Sequence, residues 1–210
     1  MLNAALLVVS GFLITFIVEQ LHSRGTIRTE VARKLIHVVA GLIVAICPFF
    51  VSWNVILVGS VAFFLAVGLS RWLKIFGSQH GINRITWGEF FFPLSIFSIV
   101  LVHPSRWVFV LAMLNLAIGD TVAALVGTKL GHSNSYNVFG QKKSVAGSLA
   151  FFAVSAGLVA ITFAVAPLGA TALLRTELLI LPFVATLAEN VGVYGLDNLF
   201  IPLAVVLLLG

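Results

Sequence analysis

Apolar residues fall in eight runs separated by polar segments: Leu2 to Val18, Leu35 to Val51, Val55 to Leu69, Phe90 to Val102, Trp107 to Val126, Val145 to Val165, Leu178 to Val191 and Leu196 to Leu209. Each run reads as a hydrophobic helix, and crossing a bilayer core takes about 20 such residues. The fourth, seventh and eighth runs are short, and they cross only where their polar flanks face protein or a water-filled cavity. The pattern predicts an all-α fold, a polytopic transmembrane bundle of seven to eight helices, with residues 1–210 as a single integral membrane domain. Composition excludes a soluble globule: 60% of the chain is hydrophobic and 9% charged, against roughly 25% charged in ordinary soluble domains. The first run has no basic segment before it and no small-residue cleavage site after it, so a retained helix is expected, not a secretory signal. The single cysteine, Cys47, lies in an apolar run and builds no disulfide framework.

Charge changes the picture by its placement. The 1–2 connection carries Arg24, Arg28, Arg33 and Lys34, the 3–4 connection Arg71, Lys74 and Arg84, and the 5–6 connection Lys129, Lys142 and Lys143. Of the twelve basic residues only Arg106 and Arg175 remain for the other side. The positive-inside rule then puts both termini outside and these connections in the cytoplasm, as in a multi-pass protein of the cell (inner) membrane. The basic surplus follows the loops, so nucleic acid is not an expected partner. The 2–3 turn is minimal (Ser52, Trp53, Asn54), whereas the 5–6 connection, GTKLGHSNSYNVFGQKKS, is long and rich in Gly, Ser and Asn, the mark of a functional or disordered loop.

Ionisable groups inside membrane helices are costly and therefore point to function. Asp120 sits about two turns before the cytoplasmic end of the fifth run. Beside it Gly119, Ala123, Gly127 and Gly131 repeat every four residues, a face for close helix packing or for self-association as a homodimer. Arg33, Lys34 and His37 share one face at the start of the second helix; the first two also suit interfacial anchors, and His37 also suits a satisfied core histidine. Arg84 and Glu89 open the fourth helix, where a turn at Gly88 brings them together and the helix dipole favours Glu89. Lys142, Lys143 and Ser144 precede the sixth helix, with Gly147 and Ser148 in its first turn. Ammonium groups and free N–H groups at a helix start make an anion site, although the spacing is not that of a P-loop. Glu189, Asn190, Asp197 and Asn198 fall in the 7–8 connection, acidic where its sisters are basic, and hard oxygen donors suit Mg2+. Asn115 lies within the same helix as Asp120 and joins the candidate set. Basic groups for phosphates, carboxylates for a metal and an apolar interior together point to nucleotide-dependent chemistry on a lipid hydroxyl.

Five segments in order, RKLIHVVAG (Arg33 to Gly41), RITWGEFFFP (Arg84 to Pro93), IGDTVAALVGTKLG (Ile118 to Gly131), KKSVAGSLA (Lys142 to Ala150) and ENVGVYGLDNLFIP (Glu189 to Pro202), resemble the polyprenol kinase family, which includes dolichol kinase, phytol kinase and CTP-dependent diacylglycerol kinase. The resemblance implies a membrane helix bundle related to that of CDP-diacylglycerol synthases. It also implies transfer of a nucleotide γ-phosphate, from CTP or alternatively ATP, to an isoprenoid alcohol or diacylglycerol among the membrane lipids. By motif, Asp120 is the acid of the GD signature, Lys143 and Ser144 its basic-hydroxyl pair, and Asp197 with Asn198 its DN pair. Ala146 stands where some relatives have an acid. The expected roles are Asp120, Asp197 and Glu189 for magnesium, Lys142, Lys143, Ser144, Arg33, Lys34 and Arg84 for the nucleotide, and His37, Glu89 and Asp120 for catalysis. A CDP-lipid-forming cytidylyltransferase and a small ion-coupled transporter are the competing readings.

Overall fold

The computed structural model describes residues 2–73, 87–166 and 175–209. Among these the chain forms eight helices with almost no strand. They are α1 (Leu2–Ser23), α2 (Thr29–Ile46), α3 (Trp53–Trp72), α4 (Gly88–Leu101), α5 (Arg106–Leu130), α6 (Val145–Val165), α7 (Arg175–Val191) and α8 (Asp197–Leu209). Four described stretches are long and apolar enough to cross a membrane unaided: Val31–Phe49, Trp53–Trp72, Arg106–Leu130 and Val145–Val165. The α2–α3 connection differs from expectation. Pro48 sits in a 3-10 turn, Cys47–Phe49, and Ser52 is the residue before α3, so Trp53 and Asn54 already lie in the helix; proline has no N–H to continue an α ladder.

Helix α5 is the centre. Of its most apolar 18-residue window 67% is buried, against 11% for α3, and α2, α6 and α8 pack around it. Helix α7 bridges α6 and α8, α4 packs between α3 and α8, and α1 lies along α2. Phe109, Leu111, Met113 and Leu116 of α5 are wholly enclosed, with Phe151 of α6, Ile99 of α4, Leu181 of α7 and Ile201 and Val205 of α8.

Lipid tails are as apolar as leucine, so burial alone does not drive helices together in a bilayer; close backbone approach and polar contacts do. The chain supplies both. A Cβ at Gly41 of α2 would collide with the Cβ of Ala117 on α5, and one at Gly119 would lie 2.9 Å from the Phe151 ring of α6. Further along, Gly127 and Gly131 close on Ser144, and a Cβ at Gly147 would stand 2.9 Å from the Ala123 carbonyl. The small-residue stripe is therefore the α5–α6 contact inside one chain, the close helix packing expected of it.

Two features depart from an all-helical reading of the fifth and sixth runs. Within α5, Asn115–Gly119 is a π-turn between Arg106–Leu114 and Asp120–Leu130. The 5–6 connection is an ordered antiparallel hairpin, β1 (Ser135–Val138) with β2 (Gln141–Ser144), in which Tyr136 faces Lys143. Its two-residue loop, Phe139 and Gly140, has φ of 45° and 81°, the left-handed pair of a type I′ turn, which matches the twist of the strands.

Candidate active site

The chemistry-bearing residues meet at one end of the bundle. The π-turn leads directly into Asp120, the first residue of the 11-residue closing segment of α5. The helix continues to Leu130, beyond the expected end of the run, which leaves Asp120 about 15 Å from its terminus. One extra residue in a turn re-aims every side chain after it, and such π-bulges recur at functional sites. The tight Gly41–Ala117 contact brings α2 against this turn, and Lys34 Nζ reaches Asp120 Oδ2 at 2.7 Å. His37 Nε2 stands 3.9 Å from the same oxygen, buried without a hydrogen bond, its ring edge-on to Phe92 at 5.4 Å. Arg33 adds its charge to the surroundings of His37.

A second ion pair faces the first. Lys143 Nζ lies 2.5 Å from Glu189 Oε1 and 2.7 Å from the Glu189 carbonyl oxygen. Glu189 and Asn190 are in the last turn of α7, and Asp197 and Asn198 open α8, so these four residues lie on the helix ends and not in the 7–8 connection expected to carry them. A carboxylate near a helix C-terminus opposes the dipole. Lys143 offsets this by engaging both the side chain and a carbonyl of that last turn. Asp197 sits at a helix N-terminus, where the dipole favours it, and Gly192 allows its approach, since a Cβ there would lie 2.5 Å from the Asp197 backbone. Asp120, Glu189 and Asp197 interact electrostatically with one another's neighbourhood through Lys34 and Lys143, which makes one charged cluster of the two pairs.

Strand alternation separates the two expected lysines. Lys143 turns inward to Glu189, whereas its neighbour Lys142 is exposed; successive side chains of a strand point to opposite faces. Ser144 is buried, and its Oγ accepts the Gly147 N–H at 3.1 Å as the N-cap of α6. The helix start expected to hold phosphate thus satisfies one of its own N–H groups. Glu89 is held by Arg71, 2.5 Å away, with the Arg71 guanidinium 4.8 Å above the Trp87 ring. Its expected partner Arg84 lies outside the described residues, as does Lys74. Asn198 donates to the Gly88 carbonyl at 3.0 Å and so ties α8 to α4. Asn115 is fully enclosed, its amide donating to the Leu111 carbonyl at 2.9 Å.

Among the described residues no three His, Cys, Asp or Glu side chains gather into a closed metal cage. Asp120, Asp197 and Glu189 are neighbours, with Asp120 and Glu189 each holding a lysine. The donors nonetheless fit magnesium, which takes one or two carboxylates and completes its shell with water and phosphate oxygens; Glu189 Oε2 is buried with no hydrogen-bond partner. Sequence reading missed Gly41, Arg71 and Tyr136. For Tyr136 the signal was available, since two four-residue stretches flank Phe139-Gly140, a spacing that marks a hairpin.

No family model matches the chain, and no solved structure matches it. The phytol kinase of Synechocystis sp. is 32% identical over 183 residues, covering 83% of this chain and 76% of that relative. Such identity, sustained along most of both chains, assigns this protein to the polyprenol and phytol kinase family.

Proposed function

We propose that the protein transfers the γ-phosphate of CTP to the terminal hydroxyl of an isoprenoid alcohol of the phytol, polyprenol or dolichol type, with ATP as the alternative donor and diacylglycerol as the alternative acceptor. The observation that carries this reading is the convergence of Lys34, His37 and Lys143 on three carboxylates at one end of an otherwise apolar bundle. The hydroxyl oxygen attacks the γ-phosphorus, the bond to the β–γ bridging oxygen breaks, and the nucleoside diphosphate leaves. Such a transfer needs positioning and charge neutralisation more than covalent help from the protein. Lys34 and Lys143 hold phosphate oxygens, exchanging their carboxylate partners for the nucleotide. His37 Nε2, buried beside Asp120 and without a hydrogen bond, receives the hydroxyl proton. Magnesium, when bound, would neutralise charge between the β- and γ-phosphates, and Asp120, Asp197 and Glu189 are the carboxylates to hold it. The alcohol's chain stays among the helices and surrounding lipid. The basic bias of the connecting segments supports a cytoplasmic setting for this end of the bundle.

The test incubates purified protein with magnesium, γ-labelled CTP or ATP, and a panel of phytol, farnesol, long polyprenols and diacylglycerol. Label in one lipid together with release of CDP or ADP supports the reading. Release of pyrophosphate when a phosphorylated lipid is added to the panel would identify a cytidylyltransferase, and no labelled lipid from any pair would remove the kinase assignment for these substrates.

A further inference from the structure

We infer that Tyr136, which lies outside every motif of the resemblance, is a positioning residue that holds the hairpin so that Lys143 is aimed into the charged cluster. The inference rests on the reading of Lys143 as a phosphate holder. The register sets Tyr136 directly opposite Lys143, and facing residues of an antiparallel pair put their side chains on the same side. Both side chains reach the last turn of α7, at consecutive residues: Lys143 to Glu189, and the Tyr136 hydroxyl to the Asn190 Oδ1. The Asn190 amide N–H is committed to the Thr186 carbonyl at 2.9 Å, which turns Oδ1 toward the tyrosine. Ser148 of α6 completes the knot, its Oγ 2.7 Å from the Tyr136 hydroxyl and 3.0 Å from Asn190 Oδ1.

This knot matters because of what Lys143 must do. Two strands of four residues make a hairpin that is marginal alone, and a lysine ammonium on its flexible stem has no geometry of its own. To hold a phosphate, Lys143 gives up at least part of its contact with Glu189. At that moment its own anchor on α7 weakens, and the Tyr136 knot is what keeps β2 in place. The hydroxyl is engaged by Asn190 and Ser148, so it acts through the backbone that carries Lys143.

The experiment compares the full chain in detergent with Tyr136→Phe, Lys143→Gln and the double variant, measuring KM for the nucleotide, KM for the alcohol, kcat and thermal stability. Tyr136→Phe keeps the ring and loses only the hydroxyl. It is expected to raise nucleotide KM about tenfold, the equivalent of one hydrogen bond, while KM for the alcohol and the melting temperature stay put. In the Lys143→Gln background the same change should add nothing, because its effect passes through Lys143. Ser148→Ala, a second variant of the same knot, should move nucleotide KM in the same direction. An unchanged nucleotide KM in Tyr136→Phe, full additivity in the double variant, or a fall in stability with both KM values moving together overturns the inference. If Lys143→Gln itself leaves nucleotide KM unchanged, the phosphate role of Lys143 fails and takes the inference with it.

Discussion

Two lysines in this protein stand one beside the other in sequence and differ completely in situation. Lys143 is paired with Glu189, with 14% and 7% of the two side chains exposed, whereas Lys142 is exposed. Removing one partner of an enclosed pair leaves the other charge stranded and costs about 3–5 kcal/mol. Lys143→Met should therefore lower thermal stability in detergent and reduce turnover, while Lys142→Met should leave both unchanged; equal effects would mean the strand does not sort them. Asp120 gives a cleaner separation of chemistry from folding. Asp120→Asn keeps the shape and the ability to accept from Lys34 and loses only the charge. Turnover should fall by about 10²–10³-fold, the loss seen when one preorganised electrostatic group is removed, and the protein should remain monodisperse. Substantial residual turnover would take the aspartate out of the chemistry.

At the scale of elements, position is decided by where backbones can touch. Gly41 lets α2 lie against the π-turn of α5, and that contact sets the reach of Lys34 and His37 to Asp120. Gly59 on α3 has open space around it. Gly41→Val should overpack the α2–α5 contact by about 1–3 kcal/mol and reduce turnover, and Gly59→Val should do neither; stability and activity assays on the pair distinguish local packing from a general effect of valine in these helices. The hairpin offers the opposite case. Phe139 holds φ of 45° at the tip with its ring exposed, a conformation that costs an ordinary side chain roughly 1–2 kcal/mol. Phe139→Asn should stabilise the hairpin, read as slower amide exchange in β1 and β2.

Across the whole molecule, four polar connections come to one end. Contacts between Lys34 and Asp120, Lys143 and Glu189, Trp87 and Tyr194, and Asn198 and Gly88 bind segments far apart in sequence into one polar cap on an apolar bundle. The bundle is asymmetric in charge as well, since Arg106 begins α5 at the end opposite Asp120–Leu130. In a Cys47→Ser background, Lys142→Cys should react with an impermeant thiol reagent only when the cytoplasmic side is exposed, and Arg106→Cys only from the outside. Labelling of both from one side would reverse or dismantle the orientation.

Hydrophobic runs were enough to place the helices, because in a bilayer every backbone polar group must be bonded within its own segment and a long apolar stretch has no other structure open to it. They also drew attention to charges such as Asp120 and Lys34, which are rare in such surroundings and which the structure pairs. Periodicity could not show that a π-turn precedes Asp120, because one inserted residue leaves no trace in an apolar pattern. Nor could composition show that GTKLGHSNSYNVFGQKKS pairs into a hairpin that turns Lys143 in and Lys142 out, or that Arg71, far away in sequence, takes Glu89. Those outcomes depend on which backbones come within contact at Gly41, Gly119 and Gly131 and on which buried charges find opposite partners there. Such choices are made between segments distant in the chain, and only the packed bundle makes them.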